Sequence, residues 1–269
     1  MSKRAAILDR LGIQQWVLRG HEPAAVEAPA APGDAAAPAP TRPVSTAANE
    51  MKALLEYEQP QVSAPTTEPH PDVARQGVEV QASDWSELRA EVAGCTACEL
   101  HKTRTQTVFG VGNEQADWMI IGEAPGAEED KRGEPFVGTA GQLLDLILES
   151  IDQPRSKSFI ANILKCRPPS NRDPHQDEAA ACSGFLDKQI EWVQPKVILC
   201  VGRVSAQTLL SSSESTARLR GKVHRHPATG IPVVVTYHPA YLLRRPIEKR
   251  KVWEDLKLAR RVAAGEVTA

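Results

Sequence analysis

The chain has 269 residues and a formal charge of −2, enough length for one sizeable domain or two small ones. It holds no run of eighteen apolar residues and no apolar segment behind Lys3 and Arg4, so neither a membrane span nor a secretory signal is expected, and the reading is a cytoplasmic protein. Its five cysteines are an odd number in a chain without an export signal, which argues against a disulfide framework.

Residues 1–20 place Ile7, Leu8, Leu11, Trp16, Val17 and Leu18 at roughly helical spacing, a short amphipathic helix. From 21 to 83 the chain is rich in Ala and Pro and nearly free of aromatic residues. Such a stretch buries too little apolar surface to offset its ordering entropy and reads as a disordered linker. A folded domain over 84–265 opens on a helix capped by Ser83 or Asp84, with Glu87 placed for a capping box. Apolar runs at 119–122, 159–163, 196–202 and 233–238 read as buried strands. Helical patterns at 141–151, 176–193, 204–211 and about 248–264 separate or follow them. The alternation predicts a three-layer α/β/α sandwich around a central, mostly parallel four-stranded sheet. Residues 218–269 carry 12 basic against 4 acidic side chains, which suits either a polyanion partner or a solvated basic helix.

Several stretches carry chemistry. Trp118-Met-Ile-Ile-Gly122 runs into Glu123-Ala-Pro-Gly126, a strand whose chain turns sharply at the carboxyl end, where open α/β sheets bind ligands. Glu128 and Glu129 follow at once, and Phe136 stands a few residues on; an ordinary glycine-rich turn explains this stretch alone equally well. Cys95-Thr-Ala-Cys98 has the gap that lets two thiolates reach one metal, and Cys166 and Cys182 stand far along the chain. Four thiolates suit an iron–sulfur cluster or, as the lesser alternative, zinc, whose ribbons use two close pairs; four unrelated cysteines are the third explanation. Cys200, inside an apolar run, reads as a core thiol. Asn162 lies within or at the end of a buried strand, a costly place for an amide unless backbone or a nucleobase edge satisfies it. Arg167, Asn171 and Arg172 on a proline-stiffened loop suit phosphate contacts or a solvated surface. His238 follows an apolar strand directly, where an imidazole can stabilise a developing anion. Tyr241, Leu242 and Leu243 then lie on an apparent loop before Arg244 and Arg245. That pattern fits a wedge into a base stack between phosphate clamps, or a helix start burying a Leu pair.

Together, Gly122-Glu-Ala-Pro-Gly126, Gly133-Glu-Pro-Phe-Val-Gly138, Asn162-Ile-Leu-Lys-Cys-Arg-Pro-Pro169 and His238-Pro-Ala-Tyr-Leu-Leu-Arg244 resemble, in order, the motifs of the family 4 uracil-DNA glycosylases, the iron–sulfur branch of that superfamily. The resemblance spans about 88–264. It implies Cys95, Cys98, Cys166 and Cys182 as ligands of a [4Fe–4S] cluster. It implies a pocket lined by backbone at Gly122 and Ala124, with Phe136 stacked on a flipped uracil and Asn162 reading its edge. Glu129 would crowd the base's C5 and reject thymine. Glu123 would orient water or offset charge on the sugar, although many relatives carry Asp or Asn there. His238 would stabilise the departing uracil and Leu242 would fill the gap it leaves, with Arg167, Arg172, Tyr241 and Arg244 on the DNA. The implied reaction is hydrolysis of the N-glycosidic bond of uracil in DNA to an abasic site, the opening step of base excision repair at the nucleoid. A related group traps uracil-DNA through a histidine in a basic insert; no such insert stands between Phe136 and Asn162, so turnover is expected. The competing reading is a non-catalytic or uracil-trapping iron–sulfur DNA-binding protein, its N-terminal tail tethered to a replication or repair partner.

Overall fold

A computed structural model describes residues 77–267. The helix expected over 1–20, most of the 21–83 linker and the proposed tail partner lie outside the described residues.

Four strands follow the four apolar runs: β2 (Trp118–Gly122), β3 (Ser158–Asn162), β4 (Val197–Val201) and β6 (Pro232–Thr236). They pair in parallel in the order β3-β2-β4-β6. The expected four-stranded sheet is corrected to six: β1 (Val111–Gly112) and β5 (Val223–Arg225) add antiparallel edges beside β3 and β6. Two- and three-residue edges carry too few side chains to show a period-two pattern, and such shortness also blunts edge pairing with other chains.

The central strands are apolar along most of their length because both faces are covered. Met119, Ile121, Phe159, Ala161, Ile198, Cys200, Val233 and Val235 point to one side. There they meet α1 (Trp85–Gly94), α4 (Gln176–Val193) and α5 (Arg203–Leu210) through Leu88, Val92, Phe185, Ile190 and Leu209. Trp118, Ile120, Ile160, Leu199, Val201 and Val234 face the opposite way, onto α3 (Thr139–Ser150) and α8 (Lys249–Ala263). The order of the sheet explains this split. The chain leaves β2 for β3 on one side, then crosses back past β2 to β4; with the right-handed connection that parallel strands favour, crossovers in opposite directions put their helices on opposite faces. The turnabout leaves a crevice at the carboxyl ends of the strands.

The domain begins earlier than expected. Residues 77–83, assigned to the linker, run along α4: the Val78 amide donates to the Ala181 carbonyl at 3.1 Å, and Ala82 is buried. The cap of α1 is as expected. Asp84 accepts from the Glu87 amide at 2.9 Å, while Glu87 accepts from the Ser83 amide and hydroxyl at 2.8 and 2.7 Å. Three short helices lacked a legible periodicity: α2 (Ala127–Arg132), α6 (Thr216–Leu219) and α7 (Pro239–Arg244).

Candidate active site

The carboxyl ends of β2, β3 and β6 lead into a shared cavity of about 590 Å³. Glu123, Ala124, Glu129, Phe136, Asn162, Arg172, His238, Tyr241 and Arg244 line it, so nine of the residues singled out in the sequence meet there. Gly122 and Asn162 are register partners on β2 and β3. A Cβ on Gly122 would sit 2.4 Å from both Asn162 Oδ1 and Phe136 Cζ, so only glycine lets the ring and the amide close over this strand end. Asn162 is 2% exposed, and its Oδ1 is buried with no hydrogen-bond partner. Such an orphan is costly in a folded protein and marks a group kept for a ligand.

Phe136 sits at φ 56°, a left-handed backbone that a bulky residue rarely adopts. Its loop is fastened from both sides. Arg155, already paired to Asp145 Oδ1 at 2.6 Å, donates to the carbonyls of Pro135 (3.0 Å) and Phe136. Glu129 accepts from the amides of Gly126, Val137 and Gly138 at 3.1, 2.9 and 3.0 Å. The Glu129 carboxylate therefore shapes the loop that presents the ring, a duty the sequence did not suggest. Arg155 was missed altogether, since nothing near it in sequence announces a contact nineteen residues back.

His238 caps the N-terminus of α7. Its Nδ1 accepts from the Ala240 amide at 3.1 Å, which leaves the proton on Nε2. Burial, with Arg244 nearby, pushes its pKa down to about 4, so the ring is neutral at physiological pH. The Phe136 and His238 rings lie 5.7 Å apart at 31°. Gly202, at φ 108°, passes close under the imidazole, where a Cβ would meet the His238 Cβ at 3.3 Å. Glu123 is raised to about 7, chiefly by burial and then by Asp173, with Arg203 opposing. Asp173 and Arg203 pair with each other and border a second groove of about 660 Å³ between α4 and α5. That groove is larger, yet none of the sequence-predicted site residues lines it.

Leu242 requires correction. It is fully buried, packed with Val252 and Leu256 of α8 against the sheet, and so is not presented to a base stack. His238 as N-cap and Pro239 at the first helical position start a helix where a loop was expected, which turns Leu242 inward and leaves Leu243 44% exposed. Arg172 is spent on a two-pronged pair with Glu178 at 2.6 and 2.9 Å, and Arg167 donates to Asn171 Oδ1 at 2.7 Å. Arg244 is exposed at the cavity mouth, and Tyr241 packs against Tyr237 with ring centroids 5.0 Å apart and planes tilted by 40°.

The other four-residue set converges on a small cavity under α1. Cys95, Cys98, Cys166 and Cys182 all line it, with His101, Arg104 and Lys165. Arg104 Nη1 donates to Cys166 Sγ at 3.1 Å and the Lys165 amide to Cys182 Sγ at 3.4 Å, so two sulfurs already sit among donors suited to thiolates. Burial pushes the thiols of Cys98 and Cys166 up, and Cys182 up to about 12. A bound cation reverses that tendency. Among the described residues no group of three His, Cys, Asp or Glu is placed to hold a single ion. Cys200, also pushed up to about 12 by burial, lies in the sheet core away from this cavity.

Comparison with known proteins agrees with this geometry. A family model described as the uracil DNA glycosylase superfamily matches residues 109–257. A type-4 uracil-DNA glycosylase of Archaeoglobus fulgidus is 44% identical over 62% of this chain and 87% of its own length. Proteins of the same name from Saccharolobus solfataricus (44% identical; 62% and 81% covered) and Thermotoga maritima (43%; 63% and 89%) match similarly. The chain belongs to the uracil-DNA glycosylase superfamily, in its type-4 family.

Proposed function

We propose that this protein hydrolyses the N-glycosidic bond of uracil in DNA, releasing the base and leaving an abasic site. The observation that carries this reading is the orphaned Asn162 Oδ1, facing a cavity shared with the Phe136 ring and a neutral imidazole. The base, swung out of the duplex, stacks on Phe136, and the Asn162 amide reads its polar edge. Cytosine reverses the donor and acceptor pattern of that edge and leaves the buried amide mispaired.

The barrier comes from charge separation, with the sugar becoming oxocarbenium-like while uracil leaves as an anion. His238, neutral and with its proton on Nε2, donates a fixed hydrogen bond to the uracil oxygen that gains charge. Glu123, once ionised, orients the attacking water and offsets positive charge on the sugar. Glu129 holds the Phe136 loop and, from the same wall, narrows the space beside the base. Leu243, not Leu242, is the side chain free to fill the gap in the stack, with Arg244 and Tyr241 beside it on the DNA side. Arg167 and Arg172 stiffen the loop on the opposite rim, so their part in DNA contact is through that loop.

The four-thiol set, free of carboxylate, suits a soft metal assembly. Cys95, Cys98, Cys166 and Cys182 would hold a [4Fe–4S] cluster, which when bound supplies a structural cross-link between the end of α1, the segment leaving β3, and α4. The folded catalytic unit then spans the glycosylase-like domain, at work on DNA in the cytoplasm, and the preceding residues are the place for a replication or repair partner.

The test is direct. A uracil-containing oligonucleotide treated with the protein and then with alkali is expected to break at the uracil position. An intact strand overturns the reading, as does an unimpaired His238→Ala variant.

A further inference from the structure

Behind the base-reading amide lies a buried cation that no carboxylate pairs with among the described residues. Lys165 is 1% exposed; its Nζ donates to the main-chain oxygen of Asn162 at 3.0 Å and to Gln189 Oε1 at 2.7 Å. Gln189, fully buried on α4, donates in turn to the Phe109 carbonyl at 3.0 Å. The Lys165 backbone is tied as firmly, its carbonyl accepting from the Val108 amide at 2.8 Å and its amide donating to Cys182 Sγ at 3.4 Å. Lys165 thus touches two centres at once, the last residue of β3 and the wall of the four-thiol cavity. Removing an ammonium from water costs heavily, and neutral oxygens repay that only in part. A methionine or leucine would fill the same volume without the cost. What an apolar side chain cannot do is grip the Asn162 carbonyl.

We propose that Lys165 is a positioning residue for base recognition: its ammonium fixes the Asn162 main chain, and so the reading amide, and ties that geometry to the four-thiol centre. Negative charge on the thiolates of a loaded centre supplies the counter-charge that the oxygens lack. The proposal rests on Asn162 reading uracil as described above.

The test uses the full-length, cluster-bearing protein. Lys165→Met is expected to keep its iron content and its KM for uracil-DNA, while kcat falls about 10- to 100-fold, the cost of a misplaced contact. Inhibition by free uracil should weaken in parallel, a readout that a purely structural lysine would not move. Should Lys165→Met fail to fold, Gln189→Met removes one of the two acceptors and is expected to lower kcat several-fold with iron retained. Wild-type kcat and uracil inhibition in a folded variant overturn the proposal, as does a loss of activity that tracks loss of iron. A wild-type protein that releases no uracil overturns the underlying activity; an active wild type with unaltered variants overturns only the role of Lys165.

Discussion

At His238 and Glu123 the same burial acts in opposite senses, lowering the imidazole to about 4 and raising the carboxyl to about 7. Above pH 5 the imidazole is already neutral and contributes no titration, whereas Glu123 gains its working charge only as pH rises through about 7. Uracil release should therefore climb with pH to a plateau just above neutrality, and Glu123→Gln should be slower and flat across that range. A wild-type profile without that limb would remove Glu123 from the chemistry. His238→Ala is expected to lose on the order of 100- to 1000-fold in kcat, the usual effect of deleting one preorganised donor to a developing anion. Single-turnover rates on a U:G duplex check both. Asn162 and His238 were legible in the sequence because each is a polar residue at the end of an apolar run, a conflict visible locally. Arg155 and Lys165 were not, because the contacts that matter, to the main-chain carbonyls of Pro135, Phe136 and Asn162, leave no side-chain signature in the sequence.

At the scale of elements, α7 divides its two leucines between the core and the surface. Leu242→Ala should cost about 2–5 kcal/mol of stability, as for a large side chain deleted from a packed core. Leu243→Ala should leave the melting temperature unchanged and lower activity on duplex DNA more than on single strands, since only a duplex has a gap to fill. Thermal melts alongside paired kinetic assays separate the two, and the reverse assignment would restore Leu242 as the wedge. The loop carrying Phe136 is held by Arg155 and Glu129 against an unfavourable backbone. Arg155→Met should therefore weaken inhibition by free uracil together with kcat. Helices of two or more turns could be placed from periodicity. The one-turn helices and two-residue edges could not, for want of a full period to read.

For the molecule as a whole, every residue assigned to chemistry lies within 77–267. A fragment of those residues should fold and release uracil at close to the full-length rate, measured on the same oligonucleotide. With the proposed cluster bound, removing iron should loosen the segment from α1 to Thr103, seen as new proteolytic cuts there, because Cys95 and Cys98 within it would share that cluster with Cys166 and Cys182, which line the same cavity. By itself the sequence determined the alternation of strands and helices, the three motifs at strand ends and the four-cysteine set. Apolar period and turn chemistry are local properties and survive in one dimension. Only the tertiary structure decided which leucine faces out, that Glu129 is spent on backbone amides, and which way each buried group is titrated. Those outcomes depend on desolvation and hydrogen bonds between residues far apart in the chain, which no local pattern encodes.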